Sequence, residues 1–378
     1  MHFQPVPVRR EKTLLIIKLD AVGDYILMRN FLPHIRKSSR FRDYRITWCG
    51  NALHKTFFEQ FDRRWVDEFI WIEKTRIYWD ILYYLRITKS LFQQYDVTLH
   101  PVFSREFLFD YFVKIAGVSE RIGIYGDTIN INPAYHRIAN KWYTQLFQIE
   151  ASVVFEFEKN KLFFTWLLNQ EIQVVRPFFE LDLVRQVALP PLPGSFVVLF
   201  PGAQLSFRRW SPEKFAAIAD FVKSEYQLDV IIAGGKQDER ISGEIIRYAK
   251  TEPKSMVGKT TFSQLIGIIA KAKLVVTNDT AAAHVAPALD VPVIALSQLN
   301  HYGRFLPYPP ESQANMICLV PSRYSRLPKE KLVEKYRSGS AVSINLITIE
   351  QVKQAIGRIL AGMDQNNPVN ASSNDDHE

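Results

Sequence analysis

Short apolar runs alternate along the chain with stretches in which apolar residues recur every three or four positions. The first run covers residues 13–19, and a turn containing Gly23 follows it. Apolar positions from Tyr25 to Ile35 then have helical spacing. A strand, a glycine turn and a helix in this order open a βαβ unit. Two later runs are predicted to be strands of the same sheet: residues 44–49 and 96–100.

A proline-rich segment separates this pattern from a second one. Three prolines fall within residues 190–193, and prolines this dense disfavour both helix and central strand. The strand pattern restarts immediately afterwards, at residues 196–200. We therefore predict an N-terminal domain over residues 1–189 and a C-terminal domain over residues 190–347.

The second domain repeats the alternation of strands and helices. Ser211 is placed to cap a helix that starts at Pro212. Strands and helices at this spacing predict a second doubly wound parallel sheet, so the fold class is α/β with two Rossmann-like domains facing a central cleft. Further strands are predicted at residues 229–233, 273–277 and 291–296.

The C-terminal residues contain one more helical pattern and a polar tail. A helix is expected over residues 348–363, packing back toward the N-terminal domain. Residues 364–378 are predicted to be disordered because they are almost entirely polar.

Composition and charge narrow the class of protein. The 378 residues are 47% hydrophobic, which is typical of a folded chain. We expect a cytoplasmic protein, because no apolar run reaches the ~20 residues of a membrane helix and no signal-peptide pattern is present. The net charge is +8, and residues 364–378 add four acids and no Lys or Arg. The rest of the chain therefore favours anionic partners. Cys49 and Cys318 have no metal-ligand spacing and are expected to stay reduced.

The turns after the strands are where chemistry is expected, because an open α/β sheet binds its ligand outside the carboxyl ends of its strands. Asp24 lies on the first such turn. A carboxylate there can take the proton of a hydroxyl group, as a general base does. The alternative is that Asp24 only caps the helix that follows.

The turn after the strand at 273–277 is a candidate phosphate site. Asp279 or Thr280 is expected to start a helix whose free N–H groups attract an anion. The small Ala281 and Ala282 would let a diphosphate approach the backbone closely, and His284 shares the helix face of Thr280. The alternative is a well-capped helix with a core-facing histidine.

Two further turns carry charged candidates. Arg208 and Arg209 follow the strand at 196–200 and can neutralise a diphosphate, although for one of the two a solvated loop is the expected alternative. Asp238 and Glu239 follow the Gly-Gly turn after the next strand. An acid there can accept hydrogen bonds from a ribose, or it can simply favour a helix N-terminus.

Taken together, these segments resemble glycosyltransferase family 9, the lipopolysaccharide heptosyltransferase family. Four motifs carry the resemblance in the family's order: Val22-Gly23-Asp24, Gly202-Ala203 with Arg208-Arg209-Trp210 and Pro212, Gly234-Gly235 with Asp238, and Asn278-Asp279-Thr280 with His284. The C-terminal half carries most of the likeness.

The resemblance implies a GT-B fold and an inverting transferase that needs no metal and no cofactor. The implied donor is ADP-heptose, and the implied acceptor is a lipopolysaccharide-core or related glycan. Residue by residue, it implies Asp24 as the base and Arg208 in place of a diphosphate-binding lysine. Thr280, His284 and the backbone of residues 279–282 would hold the phosphates. Asp238 or Glu239 would bind the ribose.

The chain also departs from the family pattern. Ala281 and Asp290 stand where glycines are usual, and Pro287 should end or kink its helix. The segment 301–308 differs from what a heptosyltransferase of the lipopolysaccharide core would carry. These departures leave another nucleotide-hexose or deoxyhexose donor, or a nucleotide-sugar epimerase, as alternatives.

The N-terminal domain is expected to hold the acceptor. Six of the seven tryptophans precede residue 170, interleaved with lysines and arginines as at residues 74–79. Such a surface suits an anionic glycolipid at the inner membrane face, and the alternative is that most of these aromatics are core. Nucleic-acid binding is suggested by the pI alone and by no motif. A dehydrogenase and a P-loop enzyme are disfavoured because their glycine motifs are absent.

Overall fold

The computed structural model describes residues 11–365, which divide into two compact units between Val174 and Val175. Each unit contains one parallel six-stranded sheet with helices. Among the described residues no helix is both long enough and apolar enough to cross a bilayer. Of the predicted tail, residues 366–378 lie outside the described residues, and residues 364 and 365 belong to the last helix.

The first unit has the strand order β3-β2-β1-β4-β5-β6, with every pair parallel. Its strands are β1 (Lys12–Lys18), β2 (Tyr44–Asn51), β3 (Glu68–Ile72), β4 (Tyr95–His100), β5 (Gly117–Ile124) and β6 (Gln145–Phe147). Its α-helices are α1 (Val22–Ile26), α2 (Leu32–Lys37), α3 (Lys55–Phe61), α4 (Ile81–Leu91), α5 (Phe107–Ala116), α6 (Pro133–Asn140) and α7 (Glu156–Leu168).

The second unit has the strand order β12-β11-β10-β7-β8-β9, again with parallel pairs. Its strands are β7 (Phe196–Phe200), β8 (Asp229–Ile232), β9 (Lys254–Ser255), β10 (Leu274–Asn278), β11 (Val293–Leu296) and β12 (Met316–Leu319). Its α-helices are α8 (Leu181–Arg185), α9 (Pro212–Tyr226), α10 (Glu239–Tyr248), α11 (Phe262–Ile269), α12 (Ala282–Ala288), α13 (Ser322–Ser325), α14 (Lys329–Tyr336) and α15 (Ile349–Gln365).

The helix expected from Tyr25 onward is broken into three pieces. The short helix α1 ends at Ile26, a 3₁₀ turn covers Arg29–Phe31, and α2 begins at Leu32. Pro33 lies in the first turn of α2, where its missing N–H is not needed. The apolar residues of all three pieces, Tyr25, Ile26, Phe31, Leu32 and Ile35, are nevertheless buried.

The boundary between the units lies fifteen residues before the predicted one at residues 189 and 190. The segment from Val175 to Leu189 packs within the second unit. Phe179 N–H donates to the carbonyl of Ala288 at 2.9 Å, and Arg176 pairs with Asp290 at 3.0 Å. The prolines do lie in a loop. The boundary of the unit, however, is set by contacts between residues 175–189 and residues that are remote in sequence.

The last helix, α15, packs on the sheet of the second unit. Its apolar residues Val352, Ala355, Ile356 and Leu360 are buried in the core formed by the second sheet. They recur at helical spacing and face α9. These four residues of α15 therefore belong to the core of the second unit.

Candidate functional site

Three of the predicted segments lie together at the carboxyl edge of the second sheet. Strand β7 lies between β8 and β10, so the turns that follow these three strands are neighbours. The connection changes direction at β7, which makes this the point where a doubly wound sheet opens a crevice for a ligand.

Asn278, at the end of β10, ties two of these turns together. Its Nδ2 donates to the carbonyl of Pro201 at 2.7 Å, and its Oδ1 accepts the N–H of Trp210 at 3.2 Å. Asn278 and Trp210 are both fully buried. Because a buried amide with both halves satisfied is a rigid link, the loop carrying the arginines is fixed against the start of the Asp279 turn.

The helix after β10 begins slightly later than predicted. Its first residue is Ala282 with Ala281 as N-cap, and not Asp279 or Thr280. Thr280 Oγ1 lies 3.1 Å from Thr277 Oγ1. The side chains of Ala281 and Ala282 leave the backbone of this turn uncrowded by bulky groups, which is what close approach of an anion requires.

The charges of Arg208 and Asp279 interact at this edge. Burial raises the pKa of Asp279 to about 6, and the charge of Arg208 partly opposes that rise. The Arg208 side chain is half-buried, and its Nε is a buried atom with no hydrogen-bond partner among residues 11–365. A guanidinium in this state can still donate to an anion.

Arg209 has a different role from its neighbour. Its Nε donates to the carbonyl of Ala203 at 2.9 Å, which closes the loop on itself. Burial raises the pKa of Asp238, and the charge of Arg209 partly opposes that rise. Of the two adjacent arginines, Arg209 is therefore the one engaged in holding the loop.

Asp238 is turned inward. It is 2% exposed, and its Oδ2 accepts the N–H of Gly235 at 3.0 Å. A side chain at Gly202 would place its Cβ 2.3 Å from the same oxygen, so glycine is required there. Burial raises the pKa of Asp238, while the Gly235 N–H and Arg209 lower it. Glu239, at the start of α10, is exposed to solvent.

His284 is a neutral side chain inside α12. It is 4% exposed, and burial lowers its pKa to about 4. Its Nδ1 lies 3.0 Å from the hydroxyl of Tyr308, and the two rings are stacked with centroids 5.8 Å apart. At neutral pH His284 therefore offers hydrogen bonds and no positive charge.

Asp24 lies at the corresponding carboxyl edge of the first sheet. It is the third residue of α1, whose N-cap is Ala21 with no side-chain capping bond. Asp24 is therefore not the N-cap residue, but it lies in the first turn, where an acid also stabilises the start of a helix. Its side chain is partly exposed, as a group that exchanges protons with a substrate must be.

Three buried side chains of the first unit, Lys18, His54 and His100, are basic and do not belong to any of the predicted motifs. Lys18 is fully buried at the end of β1, with Nζ 2.7 Å from Asp20 Oδ2 and 3.2 Å from the carbonyl of Pro101. Burial, together with the charge of Lys18, lowers the pKa of both His54 and His100. Each of the three lies at or just after the end of a strand. This position is the feature of the sequence that could have identified them.

The comparisons with known proteins point to one family. Residues 158–336 match the family model described as glycosyltransferase family 9 (heptosyltransferase). The chain is 27% identical over 212 residues to lipopolysaccharide heptosyltransferase 3 of Escherichia coli, a match that covers 51% of this chain and 60% of the relative. The first curated relatives are matched over 45% to 60% of their own length.

Residues 158–336 therefore form a glycosyltransferase family 9 region.

Solved structures agree at the level of the fold. A glycosyl transferase family 9 structure from Veillonella parvula superposes with a TM-score of 0.69 and 18% identity, covering 93% of this chain and 98% of that one. The structure of Escherichia coli ADP-heptose lps heptosyltransferase II gives a TM-score of 0.66 and 18% identity, covering 93% and 99%. The predicted fold class, an α/β chain with two Rossmann-like domains of the GT-B type, is confirmed.

The structure accounts for three of the departures from the family pattern. Ala281 has φ −54°, an ordinary right-handed conformation, so an alanine there is unstrained. Asp290 has φ +60° and pairs with Arg176 at 3.0 Å; aspartate tolerates this left-handed region better than most residues. Pro287 lies in the last turn of α12, which ends at Ala288 as predicted.

The fourth departure, residues 301–308, packs directly on the family histidine. Phe305 and Tyr308 both contact the ring of His284. Tyr302 and Leu306 of the same segment are buried. This segment is therefore a structural part of the candidate site, and its sequence bears on what the site binds.

Proposed function

We propose that this protein transfers heptose from ADP-heptose to a hydroxyl of a lipopolysaccharide-core or related glycan, with inversion at the anomeric carbon and without a metal. The observation that carries the proposal is the carboxyl edge of the second sheet. There Asn278 fixes the arginine loop beside the Asp279–Ala282 turn, and the Arg208 guanidinium keeps a free Nε within the described chain.

The second unit binds the donor in this proposal. Arg208 and the N–H groups of residues 279–282 hold the diphosphate, and Thr280 and His284 add neutral hydrogen bonds. Because His284 is uncharged, Arg208 supplies most of the positive charge that the leaving nucleotide needs. Asp238 or Glu239 binds the ribose; the exposed Glu239 is the more accessible of the two, since Asp238 already accepts a backbone N–H.

The first unit binds the acceptor and supplies the base. The Asp24 carboxylate takes the proton of the acceptor hydroxyl as its oxygen bonds to the anomeric carbon. The bond from that carbon to the diphosphate oxygen breaks, and the nucleoside diphosphate leaves with the electron pair. The transition state has oxocarbenium character, and donors such as Arg208 stabilise the charge that develops on the leaving group.

The acceptor class also implies a location. The proposed acceptor is a glycolipid, so we place the protein in the cytoplasm, in peripheral contact with the inner face of the inner membrane. The net charge of +8 supports this placement, because anionic membrane surfaces attract basic proteins.

Calorimetric titration with ADP, UDP, GDP and ADP-heptose, in the presence of a chelator, tests the donor site. We expect ADP and ADP-heptose to bind preferentially, and Arg208→Ala to weaken both about 10- to 100-fold. Arg247→Ala is the matched control, because Arg247 is an exposed arginine in the last turn of α10. Equal loss in both variants, or binding that depends on a divalent cation, would contradict the proposed site.

The departing segment supports one alternative donor. Tyr308 and Phe305 contact His284, so a site reshaped for another nucleotide-hexose or deoxyhexose is the second candidate function. Preference for UDP or GDP in the same titration would select it. An epimerase would release altered sugar without any acceptor, which is detected by chromatography of the products.

A further inference from the structure

Helix α4 is apolar on two opposite sides. Tyr83, Ile87 and Leu91 recur every four residues and are buried in the core of the first unit. Ile81 and Leu82 lie on the outer side and are 64% and 72% exposed. A surface helix normally has one apolar stripe and a polar outer face, so the outer side of α4 is unusual.

The apolar surface continues at both ends of the helix. We call the following six residues the α4 patch: Tyr78, Trp79, Ile81, Leu82, Leu85 and Phe92. All of them are more than half exposed, and Trp79 reaches 74%. Contiguous apolar surface of this kind on a folded protein marks a site of interaction with another protein or with a membrane.

The charges on the outer side of α4 are all positive. The helix contains Arg86 and Lys89 and no acidic residue. Both side chains are exposed, and neither forms an ion pair with any residue in the range 11–365. By contrast, Arg76 just before the helix is neutralised by Asp80 at 2.9 Å. The α4 patch is therefore flanked by two cations that are free to meet an anionic partner.

We propose that the α4 patch docks the protein on a bilayer surface that contains anionic lipid headgroups. A helix lying in the plane of the interface buries its apolar residues among the acyl chains while lysine and arginine meet the headgroups. Tryptophan and tyrosine are the aromatic residues that favour this depth. The inference names the surface for the membrane contact in the proposed function and rests on the acceptor being a glycolipid.

Charge argues against a second copy of the chain as the occupant. In a two-fold symmetric contact through α4, Arg86 and Lys89 of one copy would face the same cations of the other. Like charges brought together in an apolar interface disfavour association. An anionic lipid surface, in contrast, satisfies the apolar and the cationic parts of the α4 patch at once.

Co-sedimentation of the full chain with lipid vesicles tests the apolar part of the proposal. We would use phosphatidylethanolamine and phosphatidylglycerol in about a 3:1 ratio. The double variant Leu82→Ser with Leu85→Ser should lower the partition coefficient roughly 10- to 100-fold, because two leucines no longer enter the acyl region. The matched control is Leu327→Ser with Leu346→Ser, two leucines of the second unit that are 43% and 45% exposed.

A second set of variants tests the cationic part of the proposal. Replacing Arg86 and Lys89 by glutamine should lower binding to the anionic vesicles about fivefold for each charge removed. The same variant should bind vesicles of phosphatidylcholine alone as the wild type does. Trp79 reports the depth directly: vesicles should shift the fluorescence of the wild type to the blue, and a Trp79→Phe variant should lose most of that shift.

Two outcomes would overturn the proposal. One is vesicle binding that the leucine variant and its control reduce equally. The other is a dimer in analytical ultracentrifugation that the Leu82 and Leu85 changes dissociate, with no vesicle binding. Titration with nucleotides separates this test from the test of the proposed function. The leucine variant should bind nucleotide as the wild type does. If no variant binds nucleotide, the proposed transferase function is wrong, whereas the vesicle measurements still decide whether the α4 patch binds membranes.

Discussion

Asp279 provides a test of how the candidate site trades stability for function. The side chain is partly buried at the end of the second sheet, where burial raises its pKa from 3.8 to about 6. In the unfolded chain the same carboxyl has an ordinary pKa. The folded state therefore holds the proton more tightly, and ionising this group in the folded protein is unfavourable.

The magnitude follows from the shift. At about 1.4 kcal/mol per pKa unit, a rise from 3.8 to about 6 corresponds to about 3 kcal/mol. Solvent screens a partly exposed group, so we expect about 1.5 to 3 kcal/mol. Because the folded pKa is the higher one, the penalty is absent below pH about 4, grows between pH about 4 and 6, and is complete above that. The variant Asp279→Asn should be more stable than the wild type by this amount at pH 8 and equally stable at pH 4.

Urea denaturation of the two proteins at pH 4, 6 and 8 measures this difference directly. The control is Asp43→Asn, since Asp43 has an 82% exposed side chain and should give no pH-dependent difference. If the Asp279 variant is no more stable at pH 8, or if its gain is the same at pH 4, the carboxyl does not ionise in a buried setting. If the gain appears and transfer activity falls, the acid is present for function at a cost to stability.

Three further predictions follow. Asp24→Asn should lower turnover about 10²- to 10⁴-fold and leave nucleotide binding by calorimetry unchanged; wild-type turnover would exclude Asp24 as the base. Asp62→Asn leaves the buried Arg29 without its carboxylate at 2.8 Å and should cost about 3–5 kcal/mol in urea denaturation; a cost below about 1 kcal/mol would show that the pair is not a buried one. Burial raises the pKa of Cys49 to about 12, so native protein at pH 8 should resist alkylation there until it unfolds, and rapid labelling seen by mass spectrometry would contradict this.

The strands that position the site were predictable because each is a short apolar run ended by a turn. Strand β7 begins and ends where the pattern placed it, at Phe196 and Phe200, and β10 is displaced by only one residue. The start of α9 at Pro212 also follows from local chemistry, although Ser211 occupies the N-cap position without a side-chain capping bond. Parallel strands buried on both faces leave this signal in any sequence.

The limits of the units were less predictable because they depend on contacts remote in sequence. The pairing of Arg176 with Asp290 and the packing of Phe179 near Ala288 place the segment 175–189 in the second unit. The packing of α15 on α9, β11 and β12 likewise joins residues that are remote in sequence. Local periodicity reports that a helix has an apolar side, and not which neighbour covers it.

In the candidate site, the sequence motifs identified the residues but not their hydrogen bonds or their charges. Sequence motifs selected Arg208, Arg209, Asp238 and His284, but their hydrogen bonds separate them into different roles. Arg209 and Asp238 bind the loops that carry them, and burial against Tyr308 makes His284 neutral. Arg208 is therefore the cation that we propose for binding the donor diphosphate. If the donor is a nucleoside diphosphate sugar, its leaving group then depends on a single side-chain charge, and Arg208→Ala should weaken nucleotide binding far more than Arg209→Ala does once loss of folding stability is allowed for. Equal losses from the two variants would mean that the loop acts as a whole and that the hydrogen bond of Arg209 to Ala203 does not separate their roles.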